Sequence, residues 1–223
     1  MLGTLSIVAT PIGNLGDITL RAIETLKNVD LILCEDTRVT GKLLTHFGVS
    51  TPTMAYHQHS GEAAMREIAN RLEEGKNLAL VTDAGTPGIS DPGNQLISYI
   101  IRHAPNALVS PIPGASAVIA ALSISGFPTD KFLFLGFPPH KNKRQKFFVE
   151  VANSERTVVF YESSHRIKKC LEELKVVLQP NQQLCVCREL TKKFESIYRG
   201  TIAEIMAMNV SEKGEFVIVI TNL

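Results

Sequence analysis

Apolar residues fall in short runs separated by stretches with helical spacing. Leu5–Ala9, Leu31–Cys34 and Leu78–Val81 read as buried strands, and Thr53–Tyr56 and Ala107–Val109 as weaker ones. Between them the spacing predicts helices. One runs from a cap at Asp17 to about Asn28, with Leu20, Ile23 and Leu26 on a shared face. Others cover Thr40–Phe47, closed by Gly48; Glu62–Glu74, with Ile68, Ala69 and Leu72 inward and Gly75 as the stop; and Asn94–His103. Strands without polar alternation, separated by helices, predict an open, mostly parallel sheet covered on both faces.

Pro111-Ile-Pro-Gly114 interrupts this alternation. Beyond it the pattern predicts a small-residue helix (Ala115–Ser125), a strand (Phe132–Phe134) and a Lys-rich helix from about Asn142 to Asn153. A strand (Thr157–Tyr161), a helix (Ile167–Val177), a strand (Leu184–Cys187), a helix (Ile202–Met208) and a closing strand (Phe216–Thr221) follow. Aromatic and β-branched residues mingle in these strands, which suits a mixed sheet. The expected architecture is α/β with two domains, residues 1–112 and 113–223, and a ligand cleft between them.

Composition narrows this picture. The 223 residues, 44% hydrophobic, are enough to bury a core without staples. A net charge of +1 argues against a histone-like or basic-arm protein. The N-terminus shows no basic n-region and no cleavage-site pattern, so no signal peptide is expected. The weakly charged segment 104–139 is broken by Pro111, Pro113, Gly114, Gly126 and Pro128, which argues against a membrane span. Cys34, Cys170, Cys185 and Cys187 form no CxxC pair and read as reduced, buried residues of a cytosolic protein.

Three Gly/Pro loops follow first-half strands: Ala9–Asp17, Thr82–Gly93 and Pro111–Ala117. In open parallel sheets ligands collect at such strand ends. The loops contain no Lys or Arg and match neither G-x-G-x-x-G nor GxxxxGK[ST], which argues against nicotinamide, flavin and triphosphate ligands. A compact, partly apolar ligand held by backbone groups is expected. Glu35-Asp-Thr-Arg38 offers two carboxylates and a guanidinium at a strand end; an Asp36 or Glu35 ion pair with Arg38, with Thr37 as a helix cap, is the structural alternative. Tyr161-Glu-Ser-Ser-His-Arg166 offers His165 as an acid/base, or as a helix-start residue bonded to Glu162. His57 and His59 alternate but lack a third metal ligand, so no metal site is expected. Basic residues cluster at 140–146, 166–169 and Arg188 with Lys192 and Lys193. They read as solvated helix faces or as one positive surface beside the cleft.

Thr10–Asp17, Glu35–Arg38, Asp83–Gly93, Pro113–Ser116 and Tyr161–Arg166 together resemble the signature segments of a known group. It is the bacterial 16S rRNA (cytidine-2′-O)-methyltransferases of the small-subunit "I" type, within the tetrapyrrole-methylase superfamily. The resemblance runs from about Leu5 to Ile220. It implies a two-domain tetrapyrrole-methylase-like fold, a cytoplasmic homodimer without membrane attachment, and S-adenosyl-L-methionine folded in the interdomain cleft. The partner it implies is 16S rRNA within the small ribosomal subunit. By motif, the donor contacts would be Pro11, Ile12, Asp83, Gly85, Thr86, Ile89, Ser116 and Ala117. Tyr161 and Glu162 would approach from the second domain, with Gly200-Thr201 as a further addition. Asp36 or Glu35 would be the base for the 2′-hydroxyl, Arg38 would position phosphate or base, and Asp83 is the second choice of base; His165 and Arg166 would bind RNA. Family members commonly continue past the Gly214–Ile220 strand into a small helical domain, where this sequence ends at Leu223. The rival readings are methylation of a small metabolite such as a tetrapyrrole, or a non-catalytic ribosome-associated donor-binding module.

Overall fold

The computed structural model describes residues 3–58 and 60–221. The chain divides into two compact units between Ser116 and Ala117. In the first, β1 (Thr4–Val8), β2 (Leu31–Cys34), β3 (Thr53–Ala55), β4 (Leu78–Leu80) and β5 (Leu108–Ile112) form one all-parallel sheet in the order β3-β2-β4-β1-β5. The strand period of two sends Leu31 and Leu33 to one face and Ile32 and Cys34 to the other, so both faces need cover. Helices α3 (Glu62–Glu73) and α4 (Asn94–His103) bury Ile68, Leu72, Leu96 and Ile100 on the first face. On the second, α1 (Leu20–Asn28) and α2 (Thr37–His46) bury Ala22, Leu26 and Leu44.

The parallel sheet covered on both faces is thus as the apolar runs predict. Three local expectations are corrected. Thr19, not Asp17, caps α1, its hydroxyl accepting from the Ala22 N–H at 3.1 Å; Asp17 ends a short 3₁₀ turn, Leu15–Asp17. The later start turns Leu20 outward, 87% exposed, and leaves Ala22 and Leu26 as the buried face. Asp36 rather than Thr37 caps α2, accepting from the Arg38 N–H at 2.8 Å. Finally, β5 continues through Pro111 to Ile112, because on an edge strand a missing N–H costs no ladder bond.

The second unit holds a mixed sheet, β6-β7-β10-β8-β9. These strands are β6 (Phe132–Phe134), β7 (Thr157–Ser163), β8 (Gln183–Arg188), β9 (Ser196–Thr201) and β10 (Glu215–Ile220). Only β6 and β7 pair in parallel. Helices α6 (Arg144–Asn153), α7 (Ile167–Val177) and α8 (Ile202–Ala207) bury Phe148, Leu171, Leu174 and Ile205 against Phe160, Val186 and Ile218. The apolar helix α5 (Ala117–Ser125) packs on β10 and β7. All four cysteines are free and buried. β9 is the strand that periodicity misses: an edge strand of Ser-Ile-Tyr-Arg-Gly-Thr, mostly half-buried, it has no apolar run to announce it. Among the described residues no helix is long and apolar enough to cross a membrane.

Candidate active site

The three Gly/Pro loops leave the carboxyl ends of β1, β4 and β5, strands adjacent in the sheet, and are tied to one another. Thr10 and Gly85 exchange both backbone bonds, N–H to O at 2.9 and 3.1 Å, as a lone antiparallel bridge. The buried Thr10 hydroxyl donates to the Thr82 carbonyl at 3.1 Å, and the Thr86 hydroxyl to the Ala115 carbonyl at 3.1 Å. Two glycines make this closeness feasible. Gly85 adopts φ +82°, and a Cβ there would lie 3.4 Å from Ile12 Cγ2. A Cβ on Gly114 would lie 2.9 Å from the Ala9 Cβ, forcing the first and third loops apart. The structure therefore brings together Pro11, Ile12, Asp83, Gly85, Thr86 and the Pro113–Ser116 segment. Ile89 stands in the second loop with its side chain 45% exposed.

The end of β2 joins this rim, because the Asp36 N–H donates to Asp83 Oδ1 at 3.3 Å. The three carboxylates there differ in environment. Asp36 accepts from Arg38 Nε at 3.0 Å and Nη2 at 2.6 Å, and this pair with the Arg38 N–H holds it far below the usual carboxylate range. Burial, and then repulsion from Asp83, push Glu35 up. Burial, with Asp36 adding repulsion, likewise pushes Asp83 up against the opposing Asp36 N–H. Two neighbouring carboxylates whose affinity for a proton is raised are better proton acceptors than Asp36.

Tyr161, Glu162 and Ala117 belong to the second unit. The Tyr161 ring lies 5.1 Å from Phe134 and 5.2 Å from Phe137. Glu162 is buried, and both its oxygens are engaged: Oε2 with Arg144 Nη2 at 3.1 Å, Oε1 with Arg166 Nε at 2.9 Å. Its ion-pair partners are these two arginines rather than His165. Arg144 also meets Glu173 at 2.8 Å and donates to the Pro139 carbonyl at 3.2 Å. This arginine is the functional candidate that the lysine-rich run conceals. Its signal is an Arg four residues before Phe148, on which its guanidinium lies at 5.1 Å. The Gly200-Thr201 turn has a local explanation, since Thr201 and Glu204 form a capping box at the start of α8. Among the described residues no three His, Cys, Asp or Glu stand together as a metal site; His59 of the alternating histidines lies outside those residues.

A parallel sheet with tied Gly/Pro loops at its strand ends, followed by a mixed-sheet α/β unit, defines a class. The chain belongs to the Tetrapyrrole (Corrin/Porphyrin) Methylases, whose family model matches residues 4–206. Within that family it is similar to the Ribosomal RNA small subunit methyltransferase I of Synechocystis sp., with 50% identity over 222 residues, 98% of this chain and 79% of that protein. Solved structures share the fold at low identity. A cobalt precorrin-4 methyltransferase gives TM-score 0.71 at 19% identity, covering 97% of this chain and 94% of that one. A uroporphyrin-III C-methyltransferase from Thermus thermophilus, solved with S-adenyl homocysteine, gives 0.65 at 17%, covering 99% and 98%.

Proposed function

We propose that this protein is an S-adenosyl-L-methionine-dependent methyltransferase that modifies the ribose 2′-hydroxyl of a cytidine in 16S rRNA. The observation that carries the reading is the 50% identity, over nearly the whole chain, to a ribosomal RNA small subunit methyltransferase I. The loops fit the donor. Gly85 and Gly114 keep a cradle open that a Cβ would fill, Ile12 and Ile89 offer apolar surface, and the loops bring carboxylates but no Lys or Arg. That set suits a sulfonium cation with an apolar body. Pro11, Ile12, Asp83, Gly85, Thr86, Ile89 and Ser116, all in the first unit, would hold it.

When bound, the donor supplies a methyl group already activated by its positive sulfur. The chain's own task is alignment and removal of one proton. A ribose hydroxyl is a weak nucleophile until that proton leaves, and Glu35, its affinity raised by burial and by Asp83, accepts it. Asp36 is a poor base because Arg38 holds it ionised. Its role is to cap α2 and fix Arg38 for a substrate phosphate or base. Glu162, bound to two arginines, braces the Pro138 and Pro139 carbonyls within the second unit instead of touching the donor. The protein works in the cytoplasm, on the small ribosomal subunit, as a homodimer.

Labelled donor incubated with small subunits, naked 16S rRNA or a porphyrinogen tests this reading. Label in RNA from small subunits is expected. Label only in the porphyrinogen would assign the chain to tetrapyrrole chemistry, and donor binding without transfer would leave a non-catalytic module.

A further inference from the structure

Between β6 and α6 the second unit carries a segment, Phe137–Lys143, that is held more firmly than a surface connection needs. Its start is pinned where Tyr161 N–H donates to the Gly136 carbonyl at 2.8 Å. Its two prolines are gripped from below. Arg166 Nη1 donates to the Pro138 carbonyl at 2.9 Å and Arg144 Nη1 to the Pro139 carbonyl at 3.2 Å. Both arginines are neutralised by the buried Glu162, and Arg144 also by Glu173. The segment is thus fixed by a charge cluster centred on the buried Glu162 and Arg144.

What it displays outward is different. Phe137 is 50% exposed, its ring 5.2 Å from that of Tyr161. His140, Lys141, Lys143 and Lys146 are exposed, and none of the three lysines has a carboxylate partner among the described residues. The stretch from Phe137 to Lys146 contains no Asp or Glu. Lys143 sits at φ +67°, a left-handed position that glycine or asparagine would occupy with less strain. It gives α6 no side-chain cap. Its carbonyl accepts from the Phe147 N–H at 3.0 Å, but its ammonium has no carboxylate partner among the described residues, which leaves that charge free for a ligand.

We propose that Phe137–Lys143 is a binding surface for single-stranded RNA, with Phe137 a stacking platform for a base and Lys141 and Lys143 contacts for flanking phosphates. The proposal rests on the functional reading above and names the part of the second unit that grips the RNA. An exposed aromatic ring beside unpaired cations matches a nucleobase beside its phosphates. An acidic peptide would use the lysines and leave the ring idle.

The test is fluorescence anisotropy of a short labelled single-stranded oligoribonucleotide titrated with the full chain over a range of salt. Each phosphate contact on a single strand steepens the log–log salt dependence by about 0.7, so Lys141→Gln/Lys143→Gln should flatten the slope by about 1.4. Phe137→Ala should weaken binding about ten-fold at every salt and leave the slope alone. All three positions are exposed or half-exposed, and unchanged S-adenosylmethionine affinity by calorimetry verifies the fold. An unchanged slope together with unchanged affinity would overturn the proposal, as would polyglutamate competing as well as RNA. Transfer to small subunits by the wild type and equally by both variants would sink this surface and leave the functional reading standing. Failure of the wild type to methylate RNA, with the slope change intact, would do the reverse.

Discussion

Glu162→Gln is the substitution whose consequence the structure fixes most tightly. The carboxylate is completely buried and joins Arg144, itself nearly buried, to Arg166. Glutamine keeps the volume but removes the charge, leaving Arg166 without a carboxylate and Arg144 with Glu173 alone. Breaking one partner out of a buried pair costs about 3–5 kcal/mol, because the remaining cation has been taken out of water. With Glu173 still in place for Arg144, about 3 kcal/mol is expected. For a chain of this size each kcal/mol moves Tm by roughly 2–4 °C, so calorimetry should show a fall of roughly 6–12 °C. The comparison is Glu67→Gln, which breaks an exposed i,i+4 pair with Arg71 and should barely move Tm. A Glu162→Gln shift as small as that of Glu67→Gln would mean that the two arginines do not depend on this carboxylate.

Further outcomes are expected at the strand-end carboxylates and at two glycines. Glu35→Gln should lower the rate of methyl transfer at least a hundred-fold. Asp36→Ala should keep more than a tenth of it and lose about 1 kcal/mol of stability through the α2 cap, read by radiometric assay and urea unfolding. The acid limb of kcat/KM should lie above that of an ordinary glutamate, since Glu35 must be ionised to act and burial, with Asp83, raises its affinity for the proton. Asp83→Asn removes a repelling charge, lowers that affinity and should move the limb to lower pH, and an upward move would contradict the assignment. Gly114→Ala drives a methyl to 2.9 Å from the Ala9 Cβ and should weaken S-adenosylmethionine binding at least ten-fold by calorimetry. Gly41→Ala, in α2 with nothing within 4 Å of the new Cβ, should raise Tm instead.

The parallel sheet was legible because its strands are buried on both faces. Leu31–Cys34 and Leu78–Val81 carry no polar alternation, and only a doubly covered sheet demands that. The helix stops were legible at Gly48 and Gly75, which adopt φ +61° and +84°. Starts were less so, because Asp17, Thr19, Asp36 and Thr37 are all competent caps and only the fold selects among them. β9 escaped because edge strands are free to be polar. At the site, the loops were visible as Gly/Pro punctuation, but the chemical difference among Glu35, Asp36 and Asp83 was not. Adjacent carboxylates look alike in sequence; here Arg38 binds one, and burial raises the other two. Arg144 was hidden for a related reason, since its place among lysines says solvent while its partners, Glu162 and Glu173, lie 18 and 29 residues away.

The proposed destination of the methyl group is a ribose oxygen of small-subunit RNA. Small subunits treated with the protein and deuterium-labelled donor would be digested to nucleosides and analysed by mass spectrometry, with alkaline cleavage run in parallel. A labelled methyl is expected on the ribose of a cytidine, at a linkage that resists alkali because its 2′-oxygen is no longer free to attack the phosphate. Label on a base, or at a linkage that alkali still cuts, would contradict it.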